Sequence, residues 1–234
     1  MSGDVIQNTG DSAATVAAQT LAARAFAKSA TLRRKAINAG DVADFVDWQI
    51  ETFGRTNIFG SREQLWEALL PRVQSAASPL HCLEFGVAHG YASQWWLGQL
   101  TRTDLRWHGF DRFTGLPRSW RRHDEGAFDA GGTPPAIDDA RATWHIGDVE
   151  DTVLELDLDE VATGSRLILF DLDLYEPTLV AWNVLGPLLK PGDVLYFDEA
   201  IDDDERRILN EELLPSGKFE YVGASSLGLG LVVS

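Results

Sequence analysis

Acidic side chains recur where short apolar runs end. Glu84 stands near the close of Leu80–Phe85, Asp111 follows Arg106–Phe110, Gly147-Asp148 follows Ala142–Ile146, Asp171-Leu172-Asp173 follows Leu167–Phe170, and Asp198-Glu199 follows Val194–Phe197. Carboxylates gathered at one edge of a sheet repel one another unless some are protonated or a cation neutralises them. Asp171, Asp173, Asp198 and Glu199 form an oxygen-only donor set, which suits a hard divalent ion, Mg2+ or Mn2+. His81, His89, His108, His123 and His145 are scattered, with no spacing suited to zinc. Solvated carboxylates at loop starts are the plain alternative.

The first run passes into a turn, Glu84-Phe85-Gly86-Val87-Ala88-His89-Gly90. Gly86 and Gly90 let the backbone turn tightly and approach a ligand, with a helix N-terminus beyond. A phosphate-binding loop needs Gly-Lys-Ser/Thr, which His89-Gly90-Tyr91 lacks. A dinucleotide turn has G-x-G-x-x-G and no carboxylate just ahead of it to repel a pyrophosphate. Glu84 suits a cationic ligand instead, such as the sulfonium and amino-acid end of S-adenosylmethionine. Asp111, 27 residues further on, is placed to accept hydrogen bonds from both ribose hydroxyls. Glu84, Gly86, Gly90, Asp111 and Asp148 thus outline one crevice.

The elements that must position these groups follow from the hydrophobic pattern. Helical stretches at about 91–99, 149–156, 177–189 and 203–214 alternate with the five runs above. That alternation predicts right-handed crossovers and a parallel sheet covered on both faces, with ligands at the carboxyl ends of the strands. Phe219–Ala224 and Leu229–Val233 flank a Ser225-Ser226-Leu227-Gly228 turn with no helix between them, which predicts a terminal antiparallel hairpin. Four helical pieces precede the first strand. One or two lie in the Ala-rich 12–39 after a frayed start; the others run from Asp41 to about Phe53 and from Ser61 to about Ala76, the last opened by the capping box Ser61-Arg62-Glu63-Gln64. The expected organisation is a helical arm over residues 1–78 and an α/β domain over 79–234.

The chain has 234 residues and a formal charge of −16. A field of that sign repels phosphate backbones, so general nucleic-acid binding is excluded. The single cysteine, Cys82, cannot form an intrachain disulfide and lies in an apolar run, consistent with a reducing cytoplasm. No run of about 18 uninterrupted apolar residues points to a membrane span. Asp4 and Asp11 stand where a secretory signal would carry Lys or Arg. Residues 1–40 are cationic through Arg24, Lys28, Arg33, Arg34 and Lys35, so this arm is expected to dock on the acidic body of its own or a neighbouring subunit, giving a homo-oligomer.

The run Phe110-Asp111-Arg112-Phe113-Thr114-Gly115-Leu116-Pro117 resembles the "FDSFEGLP" signature of the macrocin O-methyltransferase-like family of S-adenosylmethionine-dependent methyltransferases. Glu84-Phe85-Gly86-Val87, Gly126-Ala127-Phe128 with Gly131-Gly132, Asp171-Leu172-Asp173-Leu174-Tyr175, Leu189-Lys190-Pro191-Gly192-Asp193 and Phe197-Asp198-Glu199 resemble its other motifs, in its order, across residues 80–234. The resemblance implies a class I methyltransferase fold, a doubly wound and mostly parallel sheet, that methylates a hydroxyl of a sugar or related small molecule with a divalent metal. It places the cofactor on Glu84, Phe85, Gly86, Gly90, Asp111, Arg112, Phe113, Gly147 and Asp148. It places the metal on Asp171, Asp173, Asp198 and Glu199, with Asp171 and Asp173 catalytic. The sequence departs from the pattern at Arg112, Thr114, Gly147-Asp148-Val149 and Ala200, on the adenine side and the acceptor pocket, so the acceptor is not carried over. A metal-independent methyltransferase and a non-catalytic cofactor-binding protein are the competing readings.

Residues 113–139 form a long loop bearing Arg118, Arg121, Arg122 and His123. Loops of this length are often lids or binding segments. These cations are expected to meet an anionic acceptor, to neutralise the acidic crevice, or to face solvent or a subunit. Trp120 and Phe128 are candidates to stack on a sugar face, or core aromatics.

Overall fold

The computed structural model describes residues 13–217 and 219–234. The frayed start, with Asp4 and Asp11, lies outside the described residues. The chain divides into two compact units between Trp48 and Gln49, within the second helix. In the first unit, α1 covers Ala13–Lys28, and α2 begins at Ala30 and runs to Phe53. The sequence suggested a break near Gly40. None occurs, because a glycine costs a helix only about 1 kcal/mol and the apolar spacing continues through it. Among the described residues, three helices rather than four therefore precede the first strand, the third being α3, Arg62–Gln74. Its cap is the one expected: Ser61 Oγ accepts from the Gln64 N–H at 3.3 Å. Gln64 Oε1 reaches back to the N–H of Gly60 at 2.9 Å, one residue short of the box as usually drawn.

In the second unit, seven strands form one sheet in the order β3-β2-β1-β4-β5-β7-β6. They are β1 Leu80–Phe85, β2 Leu105–Asp111, β3 Ala142–Ile146, β4 Ser165–Phe170, β5 Val194–Phe197, β6 Phe219–Ala224 and β7 Leu229–Val233. The first five are mutually parallel. β7 and β6 run antiparallel at one edge. The crossover helices are α4 Tyr91–Gln99, α5 Val149–Thr152, α6 Leu158–Thr163, α7 Tyr175–Leu185 and α8 Asp203–Ile208, the last continuing through a π turn at Leu209–Leu213. α7 opens two residues before the expected Pro177, since proline is tolerated in a first helical turn. α6 was not anticipated; Asp157 caps it by accepting from the Glu160 N–H at 3.0 Å.

Side chains alternate between the two faces of the sheet, and the central strands are buried on both. Leu80, Cys82, Trp107, Leu167, Leu169, Val194 and Tyr196 share one core cluster with Leu65, Trp66 and Leu69 of α3 and Trp96 and Leu97 of α4. Cys82 is fully buried, as its place in an apolar run indicated. Residues one step out of phase face the other way, and at the carboxyl end they make a ladder. Register aligns His145, Phe110, Phe85, Phe170 and Phe197 across β3, β2, β1, β4 and β5. Their ring centroids stand 4.4, 4.7, 5.8 and 4.6 Å apart in that order, all stacked. Each such contact adds about 1 kcal/mol beyond area burial. The next residues along the row are Ile146, Asp111, Gly86, Asp171 and Asp198, so the ladder sets three acids and the glycine turn at one height.

Candidate functional site

A cavity of about 1090 Å3 opens above that row. Glu84, Gly86, Asp111, Arg112, Gly147 and Asp148 line one part of it, and Asp171, Asp173, Asp198 and Glu199 another. Small-molecule pockets usually span about 300–1,000 Å3, so this one lies at the large end of that range.

The glycine turn is held tightly on both sides. Gly86 N–H donates to Phe110 O at 2.9 Å, and Asp171 N–H donates to Phe85 O at 2.8 Å. Gly86 has φ +92°, and a Cβ there would sit 1.7 Å from the Asp171 carbonyl oxygen. Only glycine fits this crossing of β1 and β4. Gly90, just before α4, packs against Pro135 of the long loop. Glu84 is buried behind the turn and accepts a short hydrogen bond from the Ser93 hydroxyl. Burial pushes its carboxyl up to about 8, with Ser93 pulling part of the way back. Near neutral pH this group is mostly a neutral acid, able to donate as well as accept.

Asp111 is braced by its surroundings. Its Oδ2 accepts from the Ala88 N–H at 2.7 Å and its Oδ1 from the Phe113 N–H at 2.6 Å. Each oxygen keeps a second lone pair for a ligand hydroxyl. Arg112 pairs with Asp148 at 2.9 Å, both partly exposed at the cavity edge. The side chains of Phe85 and Phe113, two of the residues expected at the cofactor, are fully buried. Phe85 belongs to the ring ladder. Phe113 sits in a left-handed conformation, φ +59°, and its carbonyl anchors the loop by accepting from Ala130 and Gly132 N–H.

The carboxylate row is electrostatically loaded. Burial first, then Asp198, Asp173 and Glu205, raise the Asp171 carboxyl well above its ordinary range. Burial and Asp198 raise Asp173 to about 7, and the same two causes raise Glu199 to about 8. Beneath them lies Glu205, which the sequence reading did not single out. It is fully buried, raised by burial and by Asp173, accepts from the Glu199 N–H at 3.0 Å through Oε2, and leaves Oε1 without a partner.

Two arginines counter this charge. Arg62 Nη1 donates to Asp198 Oδ2 at 3.1 Å, while Asp198 Oδ1 accepts from the Tyr196 hydroxyl at 2.5 Å. Arg121 Nε lies 3.0 Å from Asp202 Oδ2, and its Nη1 lies 3.6 Å from Glu199 Oε2. Of the cations expected in the long loop, Arg121 therefore meets the acidic cluster and Arg118 meets Glu176 at 2.5 Å. Leu116, Trp120, Leu174 and Ala127 form a small apolar cluster under this loop, and Trp120, His123 and Phe128 line the cavity.

The oxygen-only donors and their mutual repulsion fit a hard divalent cation in chemistry. As the side chains stand, among the described residues no three His, Cys, Asp or Glu surround a common point. Asp198 is engaged by Tyr196 and Arg62, and Glu199 leans toward Arg121. Among the described residues no helix is long and apolar enough to cross a membrane.

No protein-family profile matches this sequence, and no curated protein matches it. Solved structures do. The protein is similar to CalS11, a calicheamicin methyltransferase, with 21% identity over 99% of this chain and 98% of that one and a TM-score of 0.55. The apo form, described as a TDP-rhamnose 3'-O-methyltransferase, aligns over 95% of both chains with 21% identity and a TM-score of 0.52. The O-methyltransferase NovP aligns over 73% of this chain and 77% of its own with 15% identity and a TM-score of 0.52. At such identities the likeness shows the fold, and it is the class I methyltransferase fold that the sequence led us to expect.

Proposed function

We propose that this protein is an S-adenosylmethionine-dependent O-methyltransferase acting on a hydroxyl of a sugar or related small molecule, assisted by a divalent metal. The observation that carries the reading is one cavity lined jointly by the glycine turn with Glu84 and Asp111 and by the carboxylate row. S-adenosylmethionine, when bound, supplies an electrophilic methyl, and in-line attack needs the acceptor oxygen held about 3–3.5 Å away. Glu84, Gly86, Arg112, Gly147 and Asp148 border the cofactor half, and Gly90, the N-cap of α4, lets the turn enter the helix at φ +78°. Asp111, braced by two backbone N–H groups, orients the ribose. A divalent cation on Asp171, Asp173, Asp198 and Glu199 would acidify and orient the acceptor hydroxyl.

Asp173 is the carboxylate best suited to take the hydroxyl proton. Its residue is 8% exposed and lines the cavity, within reach of an acceptor held there. Asp171 stands beside it in the row as a second catalytic carboxyl. Trp120, His123 and Phe128 line the acceptor half and offer aromatic faces to a sugar. The cationic arm supports a homo-oligomer.

The test is calorimetric titration with S-adenosylhomocysteine, then transfer of labelled methyl from S-adenosylmethionine to a glycoside panel with and without chelator. We expect binding, and transfer that EDTA abolishes. In Asp198→Asn the transfer is lost while the homologue still binds. No binding of the homologue sinks the reading, and transfer indifferent to chelator removes its metal part.

A further inference from the structure

Arg62 occupies the first position of α3, 136 residues from its partner Asp198. Its guanidinium has two anions in reach: Asp198 Oδ2 lies 3.1 Å from Nη1, and Glu63 Oε1 lies 3.8 Å from Nε. It also lies over two aromatic faces, 4.8 Å from the Tyr91 ring centroid and 5.4 Å from that of Trp66. The rings hold the cation whichever anion it favours. Glu63 is a ready second partner. The Ser61 hydroxyl first and the Tyr91 hydroxyl next, the latter at 2.7 Å, hold it ionised with a pKa of about 2.

We infer that Arg62 is a resident counter-ion on Asp198 which a divalent cation must displace, and that on displacement it falls back on Glu63. Arg62 is then a positioning residue that sets how tightly the carboxylate row takes a metal. This rests on the metal part of the reading above. A guanidinium and a divalent cation repel each other and compete for the same oxygen, so one leaves when the other arrives. Asp198 has both oxygens engaged by protein donors, so a cation that takes it must displace one of them.

The experiment is titration of the full chain with Mn2+, followed by electron paramagnetic resonance without any cofactor homologue, so that its outcome is independent of cofactor binding. Arg62→Gln is expected to bind Mn2+ about tenfold more tightly than wild type, because a competing charge is gone. Arg62→Lys, which keeps the charge but loses the planar overlap with the rings, falls between them. In an Asp198→Asn background, Arg62→Gln changes nothing. Melting curves establish that each variant is folded, and if the Gln variant is not, the Lys variant carries the comparison. Equal or weaker Mn2+ binding by the folded Arg62 variant overturns the inference. So does the absence of Mn2+ binding in every form, or a gain that persists in the Asp198→Asn background.

Discussion

Replacing Gly86 by alanine is the sharpest test of how the two halves of the site are joined. The new methyl carbon would lie 1.7 Å from the Asp171 carbonyl oxygen and 2.6 Å from its carbonyl carbon. Contacts under 3.0 Å are essentially never seen, so one backbone must move by more than an ångström. The residue must also hold φ +92°, which costs an L side chain about 1–2 kcal/mol. Gly192 provides the control. Its φ is +96°, and a Cβ there meets nothing within 4 Å, so Gly192→Ala reports the backbone term alone. The expectation is a loss of about 1–2 kcal/mol for Gly192→Ala and at least about 3 kcal/mol for Gly86→Ala, with the excess reporting the collision. For a domain of this size each kcal/mol lowers the melting temperature by about 2–4 °C, so the two variants should separate clearly in a thermal melt. Urea denaturation gives the free energies. Because the displaced carbonyl belongs to Asp171, Gly86→Ala should also weaken S-adenosylhomocysteine binding, and Gly192→Ala should not. Two variants of equal stability, or full affinity in Gly86→Ala, would refute the crossing as described.

Two further predictions concern other regions. His108 Nδ1 lies 3.2 Å from His145 Nε2, so the pair shares one proton site, and His81 beyond is buried with both ring nitrogens unpartnered. Burial first, then the charges of His145, His81 and Arg106, lower His108 from 6.5 to about 4. The folded state thus prefers the neutral ring, and its contribution is complete above about 6.5 and lost as pH falls toward 4. Urea midpoints should drop across that window, and His108→Phe should flatten the drop; an unchanged profile in the variant removes this assignment. In the N-terminal unit, Leu21 and Ile37 are 70% and 61% exposed on a cationic arm. Deleting residues 1–40 should lower the mass measured by light scattering, and an unchanged mass removes the arm as an assembly element.

The strands were legible because the parallel ones are short apolar runs closed by an acid or glycine and the last two flank the Ser225–Gly228 turn. β1, β3, β5, β6 and β7 fall where that pattern put them. The helices were read less well. Gly40 suggested an end where the chain simply continues, and α6 was missed although Asp157 and Glu160 carry the spacing of a capping pair. At the site, the acids and the glycine turn were visible because their spacing is local. Arg62 was not, since nothing in residues 61–64 beyond a helix cap points to a carboxylate 136 positions away. Glu205 was hidden in a run of acids, Asp202-Asp203-Asp204-Glu205, of which only burial singles one out. Phe85 is turned away from the cavity by strand alternation, whereas Phe113, beyond the end of β2, is buried through its left-handed conformation, which no local spacing announces.

The stacked rings have a consequence for how such a scaffold changes over time. They index five strands to a common level from the face away from the cavity, so a slip of any one strand would break ring contacts as well as backbone pairing. The segments that leave the top of the sheet, above all residues 113–139 and the Ser225–Gly228 turn, carry no part of that indexing. Apart from the Phe113 N–H that braces Asp111 and the Arg121 guanidinium beside Asp202 and Glu199, they can lengthen, shorten or be exchanged while the donors beneath keep their spacing. On the proposed function, new acceptors could then be met by remodelling the rim while the strand-end donors stay in register.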